Sequence, residues 1–177
     1  MDQMRSVFLV GFMGVGKTSV GAIVASRLGL RLIDLDNEII GRTGTSIPEM
    51  FAADGESAFR AAEREELARW VETDGVVVAT GGGAFCSKTN RDLIHHSGGV
   101  SVFLDLPWQE ISRRLQRDHS DRPLYKNDEE ARCLFEERLP QYRRAMVHVI
   151  CDRNATSAEV AEQVLEALRE VPCATSS

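Results

Sequence analysis

Short apolar runs recur along the chain, and between them apolar residues return every three or four positions. Ser6–Val10, Arg31–Asp34, Val76–Thr80, Val100–Leu104 and Val147–Cys151 read as buried strands. The segments between them read as helices. Val20, Ile23, Val24 and Leu28 share one face after the first strand. Ser46 and Pro48 open a helical stretch carrying Met50 and Phe51, and a second helix from about Glu56 to Val71 turns Phe59, Leu67, Trp70 and Val71 inward. Pro107 suits the first turn of a helix burying Ile111 and Leu115. A helix from about Asp128 to Met146 places Leu134, Phe135, Leu139 and Tyr142 on one side, with Pro140 expected to kink it. The last helix begins at a capping box, Thr156 with Glu159, and buries Val160, Val164, Leu165 and Leu168. RDHSDRPLYKNDEE (residues 117–130) is polar and aperiodic, and is expected to be a mobile loop.

Alternating strands and helices predict a parallel sheet covered on both faces, with right-handed crossovers. Ligands in such folds gather beyond the carboxyl ends of the strands. Those ends carry Gly11–Thr18, Asp34 with Asp36, Gly81–Gly83 and Asp105. No repeat or linker breaks the pattern, so one domain of 177 residues is expected.

With 43% hydrophobic and 27% charged residues, the composition is that of a globular protein. The net charge of −6 disfavours nucleic acid and anionic membrane as partners, so an anionic ligand needs local positive groups. Cys86, Cys133, Cys151 and Cys173 form no C-x-x-C pair and no zinc spacing with histidine, which fits unpaired thiols in a cytoplasmic protein. His95 and His96 fall near an expected helix end and read as surface residues. The N-terminal apolar stretch runs into glycines and a lysine without a cleavage pattern, and is read as a strand rather than a signal peptide.

GFMGVGKT (residues 11–18) matches G-x-x-x-x-G-K-[ST], between a strand and an amphipathic helix. Its glycines let backbone N–H groups close on α- and β-phosphates, and the following helix adds its positive end. Lys17 reaches the β- and γ-phosphates, and Thr18 offers a hydroxyl to Mg²⁺. A GTPase switch is excluded, because neither D-x-x-G nor N-K-x-D occurs. A small-molecule kinase remains, which needs an acceptor site and a lid.

Three further segments are candidates for that acceptor site. Asp34 and Asp36 end the second strand, and strand alternation puts both on one side. Asp34 is placed to hold metal-bound water, and Asp36 to orient or deprotonate an attacking hydroxyl. The alternative is a helix N-cap at Asp36 with a surface Asp34. Arg60 lies between Glu56 and Glu63 at helical spacing, either as a solvated ion-paired face or as a bidentate carboxylate clamp. Gly81–Gly83 leave a strand end bare of side chains, so a flat ring could rest on backbone, unless this is a plain tight turn.

Together these segments resemble shikimate kinase, over nearly the whole chain to about Arg153. The resemblance rests on FLVGFMGVGKT, DLD (residues 34–36), FAADGESAFR (51–60), GGG (81–83), RPLY (122–125) and RLPQYRRA (138–145). It implies a three-layer P-loop kinase fold, a five-stranded parallel sheet flanked by helices, with a shikimate-binding segment around 37–63 and a lid around 117–127. It implies transfer of the γ-phosphoryl of MgATP to the 3-hydroxyl of shikimate, on the way to chorismate and aromatic amino acids, by a monomer with ATP and shikimate as its partners.

The same resemblance assigns ATP to Gly14, Val15, Gly16, Lys17, Thr18 and Ser19. Arg117 would stack on adenine, and Arg122 would close over the phosphates. It assigns shikimate to Asp36, Arg60, Arg143 and the backbone of Gly81, Gly82 and Gly83. Mg²⁺ goes to Thr18 and, through water, to Asp34; Lys17, Asp36 and Arg122 are the implied catalytic residues. The chain departs from the family in a short interval between Arg117 and Arg122 and in its adenine loop near Arg153–Ser157. A gluconate- or nucleoside-monophosphate-type kinase would explain the phosphate loop but not Arg60 with the triple glycine. A non-catalytic binding protein would have no need to keep Lys17, Asp36 and Arg60.

Overall fold

A computed structural model describes residues 5–117, 124–125 and 127–172. Five parallel strands form one sheet in the order β2-β3-β1-β4-β5: β1 (Val7–Val10), β2 (Arg31–Asp34), β3 (Val76–Ala79), β4 (Val100–Asp105) and β5 (Val147–Ile150). Each lies within a residue of the run that announced it. The interior strands β1 and β3 are buried throughout, whereas the edge strands β2 and β5 each bury one residue fully. That contrast follows from helices covering both faces of the centre.

The helices are α1 (Lys17–Leu28), α2 (Leu35–Thr43), α3 (Ile47–Val71), α4 (Lys88–His96), α5 (Trp108–Arg117), α6 (Asp128–Tyr142) and α7 (Ser157–Arg169). The chain moves one way along the sheet from β1 to β2 and the other way in every later crossover. Right-handed connections therefore put α1 on one face and α2–α6 on the other. After β5, α7 returns to pack against α1. Gly21 lets α1 come close to the sheet: a Cβ there would stand 2.9 Å from Leu32 and 3.1 Å from Leu9.

This topology creates a crevice between β1 and β3, adjacent strands whose following helices leave for opposite faces. The loops after these two strands are the phosphate loop and the triple glycine.

The two helical stretches expected before β3 are both present: α3 is two helices joined at Gly55, whose φ of 76° and ψ of 175° only glycine adopts readily. Two elements differ from the sequence reading. Asp34 is both the last residue of β2 and the N-cap of α2, its side chain accepting from the Asn37 N–H. Asp36 therefore stands in the first turn of a helix, and strand alternation does not govern it. The helix expected to reach Met146 runs through Pro140 and stops at Tyr142, where turns at Arg144 and Ala145 lead into β5.

Candidate active site

The phosphate loop is held open by backbone geometry. Gly14 and Gly16 have φ of 80° and 96°, a region costly to residues with a side chain. Gly16 caps α1 with no side-chain bond, so the first N–H groups of the helix stay available to an anion. Lys17 is buried at the helix start, and its Nζ donates to the carbonyls of Gly11 (2.8 Å) and Phe12 (2.9 Å). Val15 is buried; Thr18 and Ser19 are exposed on the first turn. The Thr18 hydroxyl donates to Asp34 Oδ2 at 2.6 Å. A hydroxyl and a carboxylate side by side at the mouth of an anion cradle are hard oxygen donors of the kind Mg²⁺ takes, so these residues fit the implied ion.

Across the crevice, the triple glycine faces side chains that leave no room for a Cβ. One on Gly81 would lie 2.5 Å from Glu63 Oε1 and 3.0 Å from Asp36 Oδ1. One on Gly82 would lie 3.2 Å from the Met13 nitrogen in the phosphate loop, and one on Gly83 about 2.6 Å from both terminal nitrogens of Arg60. The glycines are where they are because three different groups press against them.

Arg60 is fixed from two sides. Its Nη1 donates to Glu63 Oε2 at 2.8 Å, and its Nε and Nη2 donate to Glu56 Oε1 at 3.2 and 3.1 Å. Burial works against the guanidinium charge, but Glu63 and Glu56 outweigh it and hold the pKa above its ordinary value. Glu63 is almost fully buried, and burial pushes its pKa up; Arg60 opposes that rise and the Asp36 charge adds to it.

A cavity of about 140 Å³ lies at this junction, lined by Met13, Asp36, Phe59, Arg60, Gly82 and Arg138 among others. A larger one of about 670 Å³ adjoins it and shares Arg60, Glu63, Gly83 and Arg138. Of the two, the smaller cavity is the one lined by both Met13 of the phosphate loop and Asp36.

Asp36, Arg60 and Gly81–Gly83 thus come together, while Arg143 does not join them. It is exposed and follows the last residue of α6. The guanidinium that reaches the cavity is that of Arg138, whose Nη1 donates to the Gly82 carbonyl at 3.3 Å. Residues five apart on a helix point about 140° apart, so only one of the two can face the pocket. Arg138 shares the buried stripe Ala131–Phe135–Arg138–Tyr142, and an arginine on that stripe was the signal for it.

On the nucleotide side, Arg114 contacts the phosphate loop. Its Nη1 donates to the Val15 carbonyl at 3.3 Å, and its Nε donates to Glu110 at 2.9 Å. Arg117 is exposed at the end of α5. Arg122 lies outside the described residues, as does most of the expected lid.

His95 and His96 are exposed at the end of α4. Cys151 is buried and its thiol is pushed up to about 11, chiefly by that burial, while Cys133 is exposed. Among the described residues no cluster of three or more His, Cys, Asp or Glu is arranged to hold a metal ion, and no helix is long and apolar enough to cross a membrane.

A phosphate cradle after the first strand, a substrate cavity at the adjacent strand end and a polar arginine-and-carboxylate lining define a P-loop phosphotransferase acting on a small acceptor. The family model for shikimate kinase matches residues 13–169. The chain belongs to the shikimate kinase family. It is 44% identical to the shikimate kinase of Halorhodospira halophila over 94% of each chain, and 38% identical to that of Sulfurihydrogenibium sp. over 94% of this chain and 99% of the relative. Among solved structures it is similar to the Acinetobacter baumannii shikimate kinase in complex with shikimate. The TM-score is 0.89 at 32% identity, covering 95% of this chain and 94% of that one.

Proposed function

We propose that the chain transfers the γ-phosphoryl group of ATP to the 3-hydroxyl of shikimate, a step toward chorismate. The observation carrying this reading is the meeting of Arg60, Arg138, Asp36 and the bare Gly81–Gly83 backbone in one cavity against the phosphate loop. A compact hydroxylated carboxylate matches that lining: the two guanidiniums take the carboxylate at one end, and Asp36 meets a hydroxyl at the other. The A. baumannii relative binds shikimate, which supports the choice of acceptor.

In this reading Glu63 and Glu56 hold Arg60 in its clamping pose. Asp36 accepts the hydrogen bond of the attacking hydroxyl and aligns it with the terminal phosphorus. The loop N–H groups and the start of α1 hold the β-phosphate, and Lys17 swings from the Gly11 and Phe12 carbonyls to the transferring group. Thr18 and, through water, Asp34 would hold Mg²⁺, which when bound with ATP neutralises the phosphate oxygens. Gly14–Ser19 and Arg114 line the nucleotide side. Arg117 would stack on adenine, and Arg122 would close over the phosphates and exclude water.

A coupled assay of ADP release over a panel of acceptors tests the reading. Shikimate should turn over, with gluconate and nucleoside monophosphates silent. Turnover of gluconate without shikimate would reject the assignment.

A further inference from the structure

Tyr142 is fully buried on α6, one turn beyond Arg138, and the mechanism above gives it no task. Its ring stacks on Phe103 of β4, with centroids 5.4 Å apart and planes 26° apart. Its hydroxyl donates to the carbonyl oxygen of Gly82. The Gly82 oxygen thus accepts from two α6 side chains, Tyr142 and Arg138. Burial raises the Tyr142 pKa well beyond its ordinary value, so the hydroxyl stays protonated and remains a donor.

A trans peptide holds its C=O and N–H in one plane, pointing in opposite directions. Fixing the Gly82 oxygen toward α6 therefore turns the Gly83 N–H away from the side chains that hold that oxygen, and Gly83 itself lines the cavity. No hydrogen bond from that N–H is found among the described residues. The Arg60 guanidinium lies against the same residue, so close that a Cβ on Gly83 would overlap it. An anion held by Arg60 would find this N–H beside it.

We propose that Tyr142 is a positioning residue for the acceptor: acting through the Gly82 carbonyl, it aims the Gly83 N–H at the carboxylate that Arg60 and Arg138 clamp. The inference rests on the acceptor reading given above. Phe103 sets the height of the tyrosine ring, and the ring sets the tilt of one peptide plane. The floor of the acceptor pocket is in this way built from the core outward. On its other side stands Met13 of the phosphate loop, whose backbone nitrogen a Cβ on Gly82 would approach to 3.2 Å.

The test is Tyr142→Phe, which keeps the ring and its stacking and removes the donor. Steady-state kinetics should show KM for shikimate raised about three- to tenfold, with kcat and KM for ATP within about twofold of wild type. Placing 4-aminophenylalanine at position 142, which restores an N–H donor, should recover most of the loss. A purely structural role would instead move kcat and both KM values together. A KM for shikimate unchanged in Tyr142→Phe, or raised equally with that for ATP, would overturn the proposal. An independent check uses the wild-type protein: in amide NMR, saturation with shikimate should move the Gly83 proton downfield. An unmoved Gly83 resonance, with other pocket amides shifting, would also overturn it. Wild-type protein that does not turn over shikimate at all would reject the acceptor reading itself, an outcome distinct from either.

Discussion

The phosphate loop occupies consecutive residues, Gly11–Thr18, between β1 and α1, whereas the acceptor cavity draws on α2, α3, the loop after β3 and α6. In the first region recognition is done mostly by backbone N–H groups, whose directions follow from glycine dihedrals and a helix start. In the second it is done by long side chains, each held by a neighbour from another element. A cradle of the first kind is a local property of the sequence. A pocket of the second kind exists only once the sheet order has brought the ends of β1 and β3 together. Damage to the two should therefore look different: loss of turnover in one, loss of acceptor affinity in the other.

The largest expected effect is in the phosphate loop. Lys17→Met removes the one side chain of that loop placed to follow the charge onto the transferring group. The expected fall in kcat is about 10²–10³-fold, the scale for losing one preorganised charge stabiliser, with KM for shikimate changing little. Thermal unfolding should remain cooperative. A Lys17→Met protein with wild-type kcat would remove the contrast between the two regions.

Next comes the pair Arg138→Ala and Arg143→Ala, which asks which guanidinium faces the acceptor. Loss of a charged hydrogen bond to shikimate should cost Arg138→Ala about 1.5–3 kcal/mol, seen as a rise of about 10- to 150-fold in KM for shikimate. Arg143→Ala, at an exposed position, should be close to wild type. The reverse pattern would place the acceptor on the other side of α6.

A smaller change is expected from Gly83→Ala. Its backbone φ of −106° suits alanine, so the only conflict is the overlap with Arg60. A flexible side chain can move aside, so stability should hardly change while the clamp is displaced. KM for shikimate should rise about tenfold, comparable to weakening one charged contact. A loss of fold instead would mean that Arg60 cannot yield.

The smallest effect concerns Glu110, which supports the nucleotide side. Hydrogen bonds from Arg113, and then Arg114, lower its pKa from 4.5 to about 2. A carboxyl with a depressed folded pKa contributes stability above its unfolded value and loses it as pH falls toward the folded one. Stability should therefore decline between about pH 4.5 and 2 by an amount that Glu110→Gln abolishes. Solvent screening limits the difference to about 1 kcal/mol at most. Parallel acid-unfolding curves for the two proteins would show that the pair contributes nothing.

The same contrast explains what the sequence made legible. All five strands and the phosphate loop are local patterns, and each lies where periodicity and spacing put it. Asp36, Arg60 and Gly81–Gly83 could be singled out because each stands beside a recognisable strand end or helix register. The arginine of α6 could not be chosen from RLPQYRRA by order alone. The segment holds three arginines, and the choice depends on helix phase against the core, where Arg138 lies in line with Phe135 and Tyr142. The contact of Arg114 with the phosphate loop depends in the same way on helix phase, which the order of residues does not show. LIDLD suggests strand neighbours in Asp34 and Asp36, because nothing in it reveals that the strand becomes a helix without an intervening loop.

The central claim is that one acid lies between two guanidiniums with its alcohol at Asp36, and a crystal structure with shikimate, ADP and Mg²⁺ tests it most directly. The shikimate carboxylate should lie within about 3 Å of both Arg60 and Arg138, the ordinary reach of a charged hydrogen bond. The 3-hydroxyl should lie beside Asp36 and face the β-phosphate. A carboxylate bound near exposed Arg143, or a ring turned so that the 3-hydroxyl points away from the phosphate loop, would contradict it.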